Sequence, residues 1–494
     1  MVMATLRKWL TRITLVVLVV AVVLLSVRVL GLSAMAPLQP WHREVLAEMD
    51  VTELERSDWA NYLAFEQRLY AELHDHVSHY AADASQRYNR YATDSPVYPP
   101  HLPRNWNRSY VLAPTAAPQA VAVLLHGLTD SPYSMRALAE HMRSRGVLTV
   151  VPRLPGHGTA PGALTQVNWE QWLAVTRLAV REARRQVPTG PLYLVGYSNG
   201  GALAVHYALD ALHEPSLAMP DHLVLLSPMI GVTRYARFAG FAALPAVLPA
   251  FAKSAWLDVV PEFNPFKYNS FPVHAARQTY ELTSAVQQAM DQAQARREWR
   301  NMPPILALQS LADSTVSTPA VISGLFDRLP DNGSELVLVD LNRTPGVMSL
   351  LSGQMAARLE QLLPPLRRHY AVTVITSGRE ADAPAQALHT PAGSVEASAS
   401  ELAQAYPTQL FSLSHIALPF PCDDALYGSA PREPGSTGIA LGVLAPRGER
   451  GVLQVGMDSL LRASCNPFFD DWTRHVDAAL ELDPVPEFGQ GTQP

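Results

Sequence analysis

The sequence is poor in several things, and each scarcity excludes something. It holds two cysteines in 494 residues, too few for a disulfide framework or a cysteine-rich zinc site. Charged residues make up only 17%, and Lys+Arg 38 against Asp+Glu 44 leave a formal net charge of -6. No basic tract is long enough to track a phosphate backbone, so nucleic acid is not an expected partner. No internal repeat is visible. Hydrophobic residues at 48% allow a large buried core and exclude broad disorder. The length fits either roughly three domains or one large α/β domain with insertions. A globular enzyme or binding protein remains.

The apolar residues are unevenly placed. Ile13 to Val27 is an uninterrupted apolar run that continues past Arg28 to Leu32, about 20 residues, enough to cross a bilayer as one helix. Arg28 can snorkel to the headgroups. Arg7, Lys8 and Arg12 precede the run and no comparable cluster follows closely. The positive-inside rule then predicts a single N-terminal anchor with the body on the non-cytoplasmic side, periplasmic or extracellular. The competing reading is a cleaved signal peptide ending at Ala34-Met35-Ala36, against which stand Pro37 and the interrupting Arg28. Either reading places Cys422 and Cys465 where they could form a disulfide; otherwise they are two inert buried thiols.

Residues 41–91 carry helical signals, with Leu63, Phe65, Leu69 and Leu73 among interleaved acids. His74, His76 and His79 do not converge on one helix face, so no metal site is expected there. A proline-rich connector, Ser95 to Pro103, follows. Then short apolar strands alternate with helices. The strands are predicted at 120–125, 148–152, 192–195, 223–226, 305–308 and 336–339, a pattern that predicts a mostly parallel sheet covered on both faces. Gly231 to Met302 interrupts the rhythm and opens very apolar (FAGFAALPAVLPAF); it is expected to form a helical cap over a site rather than a packed helical excursion. Pro345 to Gln409 interrupts it again, and the Ala-, Ser-, Gly- and Pro-rich tract from Ser377 to Ser400 is expected to be a mobile loop. The predicted divisions are an anchor or signal at 1–35, a helical segment and linker at 36–110, a core at 111–230, the cap at 231–302, and a second core part at 303–494 with its mobile insertion near 345–409.

Gly196-Tyr197-Ser198-Asn199-Gly200 lies between a predicted strand (PLYLV) and a predicted helix (GALAVHYAL). A turn this tight strains the serine backbone and exposes its hydroxyl at the strand's carboxyl end, and the flanking glycines remove clashing side chains. Such a serine is a nucleophile candidate, and acyl transfer then needs amides for the developing oxyanion. Those of Leu128 and Asn199 are assigned to that role. His126 and the loop Leu154-Pro155-Gly156-His157-Gly158 are expected to be structural. The serine also needs a histidine base oriented by a carboxylate. Asp313, in a turn after ILALQSLA, is the preferred acid over Asp340 and Asp327. His415, in a loop after TQLFSLS, is the preferred base over His369 and His389.

With LLHGLTDSPYSMRALAEHMRSRG, VVPRLPGHG, VGYSNGG, LADSTV and SHIALPF in that order, the chain resembles the α/β-hydrolase superfamily over about Val121 to Phe420. It looks closest to the monoacylglycerol lipase, carboxylesterase and serine aminopeptidase-like branch. The resemblance implies an α/β-hydrolase fold with a helical cap between Gly231 and Met302, Ser198 as nucleophile, Asp313 as acid, His415 as base, and no metal or organic cofactor. Two departures stand out: Asp313 and His415 lie further apart than is usual in the family, and the first 110 residues have no recognised counterpart. The expected function is hydrolysis of hydrophobic or lipid-like carboxylic esters by a membrane-anchored enzyme. An amidase or peptidase, or a non-catalytic binding protein of this fold, is the alternative.

Overall fold

Short apolar strands that lack polar alternation must be covered on both faces, and the runs marked in the sequence do form the middle of one sheet. The computed structural model describes residues 35–78, 87–231, 249–313, 315–349, 366–378, 383–444 and 464–482, with scattered single positions elsewhere. In chain order the strands are β1 (Tyr110–Leu112), β2 (Ala120–Leu125), β3 (Val147–Val151), β4 (Leu192–Tyr197), β5 (His222–Leu226), β6 (Trp256–Asp258) and β7 (Phe271–Pro272). They continue with β8 (Ile305–Ser310), β9 (Glu335–Val339), β10 (Ala371–Thr376), β11 (Pro384–Thr390) and β12 (Ser398–Ala405). Ten of them form one sheet in the order β1-β3-β2-β4-β5-β8-β9-β10-β11-β12, and β6 and β7 pair separately. Pairing is parallel from β3 through β10 and antiparallel at both flanks.

Successive residues of β2 point to opposite faces, as strand geometry requires. Val121, Val123 and Leu125 pack with helices α4 (Trp169–Gln186), α5 (Asn199–Ala211) and α6 (Val273–Ala295), through Trp172, Leu203 and Leu282. Ala122 and Leu124 pack the other way, with α3 (Arg136–Ser144) and α7 (Phe469–Ala479), through Leu138, Met142, Trp472 and Val476. The sheet is thus sandwiched between two helical layers, and its strand order brings the carboxyl ends of β2, β4, β5 and β8 side by side.

The N-terminal segment is part of this body. Asp50 caps α1 (Val51–Arg56) and Asp58 caps α2 (Trp59–His76), each accepting a backbone N–H at 2.8 Å. From α2, Tyr62 donates to the Arg153 carbonyl at 2.6 Å, while Glu66 and Glu48 hold the fully buried Arg153 guanidinium at 3.0 and 2.7 Å. This ion cluster sits under the turn after β3 and fastens 48–66 to it. His74 and His76 turn to different partners, Tyr98 and Glu44; His79 lies outside the described residues.

Two expectations change. The N-terminal transmembrane helix is corrected: among the described residues no helix is long and apolar enough to cross a membrane, and most of 13–32 lies outside them. An apolar run specifies composition, whereas spanning requires a continuous helix of about 20 residues. With that helix go the membrane as a partner and the non-cytoplasmic localisation inferred from it. The tract 377–400, expected to be a loop, instead carries β11 and the start of β12, an antiparallel hairpin added to the sheet beyond β10. Its small residues conceal a strand signal because the outer strand faces solvent along most of its length. In the stretch expected to be a cap, 232–248 lies outside the described residues. Of the rest of that stretch, the long helix α6 packs beside α5.

Candidate active site

Ser198 stands between β4 and α5 with φ 53° and ψ -111°, a left-handed backbone that a non-glycine residue adopts only under constraint. The constraint is local crowding. A Cβ on Gly196 would lie 2.4 Å from the Gly200 carbonyl oxygen, and one on Gly200 2.1 Å from that of Leu125. Only glycine lets β4 turn into α5 this tightly against β2. Gly200→Ala is expected to destabilise the chain by about 3 kcal/mol, the upper end of ordinary overpacking, read as a lowered urea midpoint. An unchanged midpoint would mean the elbow relaxes freely.

The Ser198 amide donates to Leu226 at the end of β5, and its carbonyl accepts from Gly201 and Ala202 in the first turn of α5 and from Met229. Asn199, the first residue of α5, presents an N–H with no intrahelical acceptor. Facing it is the turn after β2, where Thr129 is also left-handed at φ 63°. Among the described residues neither the Leu128 nor the Asn199 amide donates to a protein acceptor. His126, buried at the start of that turn, accepts from the Leu154 amide at 3.0 Å and contacts the Gly127 carbonyl at 2.9 Å, so it braces two loops. The turn is also held from the far side: Tyr268 donates to Thr129 at 2.8 Å, Lys267 pairs with the buried Asp130 at 2.9 Å, and Phe266 stacks on Tyr133.

Asp313 follows β8. One carboxylate oxygen accepts the amides of Thr315 and Val316 at 2.8 and 2.9 Å; the other accepts Ser227 Oγ at 2.5 Å and Gln309 Nε2 at 3.3 Å. Ser227, in a left-handed conformation (φ 46°) directly after β5, was missed by the sequence reading. Its only signal was a Ser-Pro pair ending a strand.

His415 opens a short 3-10 turn, and its ring lies 5.8 Å from that of Tyr197, the residue before Ser198. Ser310 Oγ donates to the Leu413 carbonyl at 2.6 Å, tying the histidine loop to the acid's strand. Crowding by protein atoms lowers the His415 pKa to about 4; the Asp313 carboxylate opposes that shift, while Lys267 and Arg462 add to it. No hydrogen bond joins Ser198 to His415, or His415 to Asp313, among the described residues. Catalytic contacts are often long in an empty site and tighten with substrate.

The rival residues are committed elsewhere. Asp340 is engaged by Arg343, Thr376 and the Leu341 amide. Asp327 accepts from Tyr370. His389 sits on β11 against Thr373, and His369 is exposed. Among the described residues no group of three or more His, Cys, Asp or Glu could hold a metal ion. Cys422 and Cys465 are joined by a disulfide with Cα atoms 5.0 Å apart, just beyond the histidine loop.

Several buried histidines favour the neutral form: burial lowers His42 and His415 to about 4 and His157 to about 3, and pushes His126 down as well. The unfolded chain takes up these protons near pH 6.5 while the folded chain does not. Their contribution to stability is therefore complete above about pH 6.5 and is lost as the pH falls through about 4. Urea midpoints are expected to be level from pH 7 to 8 and to decline steadily below 6.5; a midpoint level down to pH 4 would contradict this burial.

A strained serine elbow between a parallel strand and a helix, at the carboxyl edge of a mostly parallel sheet flanked by helical layers, is the arrangement of the α/β-hydrolase fold. Residues 116–341 match the family model described as serine aminopeptidase, S33. Over that stretch the chain is similar to the lipase/esterase-like branch of the α/β-hydrolase superfamily. It is similar to the thermostable monoacylglycerol lipase of Bacillus sp. (strain H-257), 32% identical over 95 residues, which is 19% of this chain and 36% of that one. It is also similar to the magnesium-chelatase 30 kDa subunit of Rhodobacter capsulatus, 29% identical over 153 residues, 30% of this chain and 49% of that one. The chain thus spans less than half the length of these curated relatives. Among solved structures, a metagenome-derived lipolytic enzyme described with LipS and LipT aligns with 22% identity and a TM-score of 0.37, covering 49% of this chain and 89% of that one.

Proposed function

We propose that this chain is a serine hydrolase that cleaves carboxylic esters through an acyl-enzyme, with Ser198 as nucleophile, His415 as base and Asp313 as the acid that orients it. The observation that carries the reading is the strained Ser198 turn, flanked by the free amides of Leu128 and Asn199. Ser198 Oγ attacks the ester carbonyl as His415 takes its proton. The oxyanion forms between the two amides, and collapse expels the alcohol, which receives the proton from His415. Water, activated by the same imidazole, then releases the acid. The four hydrogen bonds that Asp313 accepts fix its carboxyl group, which faces the imidazolium as it forms.

A histidine held near pKa 4 is already neutral at pH 7 and ready to accept a proton. The acidic limb of kcat/KM is therefore expected near pH 4 to 5 rather than near 6.5.

The family description invites an aminopeptidase reading, but the charges that reach His415, apart from Asp313, come from Lys267 and Arg462. Lys267 is paired with Asp130, so Arg462 is the cation that disfavours the free ammonium an aminopeptidase must receive. The apolar composition of 238–251 supports a hydrophobic acyl group.

The test is labelling of the full chain with a fluorophosphonate, beside Ser198→Ala, Asp313→Ala and His415→Ala, with a panel of p-nitrophenyl esters of graded acyl length. Labelling lost in Ser198→Ala and strongly reduced in the other two supports the reading. No labelling of folded native chain overturns it, and labelling unchanged in His415→Ala overturns the choice of base.

A further inference from the structure

Two arginines are buried side by side under the loop after β3, and they are treated very differently. Arg153 is met by two carboxylates, those of Glu48 and Glu66. Arg90, 2% exposed, has no carboxylate within ion-pair distance among the described residues. Its Nη2 donates to Asn107 Oδ1 at 3.0 Å and the Gly158 carbonyl at 3.2 Å, and its Nη1 reaches the Asn264 carbonyl at 3.4 Å. Its buried Nε has no partner. The rings of Tyr91 and Tyr268, 5.5 and 5.3 Å from the guanidinium, supply partial compensation. The charge of the buried Glu262 reaches Arg90, but its carboxylate makes no ion pair with the guanidinium and accepts the amides of Asn269 and Ser270 instead. A buried cation with no carboxylate in direct contact is incompletely compensated.

Arg90 borders a cavity of about 310 Å³ between α2, the proline-rich connector and the loop after β3. Tyr70, Tyr91 and Tyr98 contribute aromatic walls, His74 and Arg108 stand with them, and no Asp or Glu is among the lining residues. Arg108 lies 4.3 Å above the Tyr70 ring and likewise has no carboxylate partner among the described residues. Two guanidiniums with no carboxylate in contact among the described residues, three tyrosines and no acid in the lining make a chamber for an anion with an apolar body. Its volume is about twice that of a cavity that holds one benzene ring.

We infer that this cavity is a binding site, separate from Ser198, for a small organic monocarboxylate, with the carboxylate between Arg90 and Arg108 and an aromatic or aliphatic body among Tyr70, Tyr91 and Tyr98. The inference does not depend on the chain being an esterase.

The test is calorimetric titration of the full chain with 4-phenylbutyrate, 4-phenylbutanol and inorganic phosphate, repeated on Arg108→Ala, Arg90→Met and His415→Ala. Saturable 4-phenylbutyrate binding is expected, weakened at least tenfold in Arg108→Ala, unchanged in His415→Ala, and not matched by the alcohol or phosphate. Arg108 is half-exposed, so its variant keeps the test valid if Arg90→Met fails to fold. Absent binding, binding unaffected by Arg108→Ala, loss in His415→Ala alone, or equal binding of the alcohol or of phosphate would each overturn the inference.

Discussion

Replacing Ser198 with alanine is expected to lower kcat for ester hydrolysis by about 10,000-fold or more, with the unfolding midpoint within about 0.5 kcal/mol of the native value. The contrast between the two readouts matters. The elbow's geometry comes from Gly196 and Gly200 and from the backbone bonds of residue 198, none of which uses the hydroxyl. Alanine at this strained position loses only Oγ. The oxyanion amides survive in the variant, so a small residual rate above the uncatalysed reaction remains. Steady-state kinetics on a short-chain p-nitrophenyl ester, paired with urea denaturation, would measure both. A fall below tenfold would place the nucleophile elsewhere.

Arg153→Met is expected to produce the largest loss of stability of any single replacement described, about 3–5 kcal/mol. The guanidinium is fully buried, and Glu48 and Glu66 are nearly so. Removing the cation leaves two carboxylates in a low-dielectric interior with no counter-charge. Burial already raises the pKa of Glu66, and the Arg153 charge opposes that rise. Without Arg153 the carboxyl shifts further up and binds a proton more readily in the folded state than in the unfolded one. The variant should therefore recover part of its deficit as the pH is lowered toward 5, against the trend set by the buried histidines in the native chain. Thermal denaturation of both chains between pH 5 and 8 would read this. A deficit that grows on acidification would mean that the cluster is not what fastens α2 to the body.

Where a structural feature depends on near neighbours, the sequence was readable. The strands β2, β4, β5, β8 and β9 stand where runs such as AVAVLL place them, because a β-branched run with no polar face has few other stable fates. The turn at Ser198 was readable for the same reason: the clash that only glycine avoids lies between Gly196 and Gly200 and the next strand. Asp313 and His415 were chosen by their position after strand-like runs; Asp313 does follow β8, whereas TQLFSLS forms no strand and His415 opens a 3-10 turn well beyond β12, with its ring stacked on that of Tyr197. Ser227, which donates to Asp313 from the end of a different strand, had no comparable signal. The hairpin of β11 and β12 was hidden by small residues, and it fills much of the long interval between Asp313 and His415. The apolar N-terminal run illustrates the opposite error, since hydropathy alone suggested a spanning helix that the described residues do not contain.

By itself the sequence determined the parallel α/β core, the order of its motifs and the strained serine turn, since each follows from periodicity or sterics within a few residues. Only the tertiary structure decided which acids serve which cations: Arg153 takes Glu48 and Glu66 across 105 and 87 positions, while Arg90 is left facing a cavity. It also decided that Lys267 and Tyr268 hold the turn after β2 from the far side. Such pairings depend on distance through space in a medium of low dielectric, and chain order carries no record of that distance.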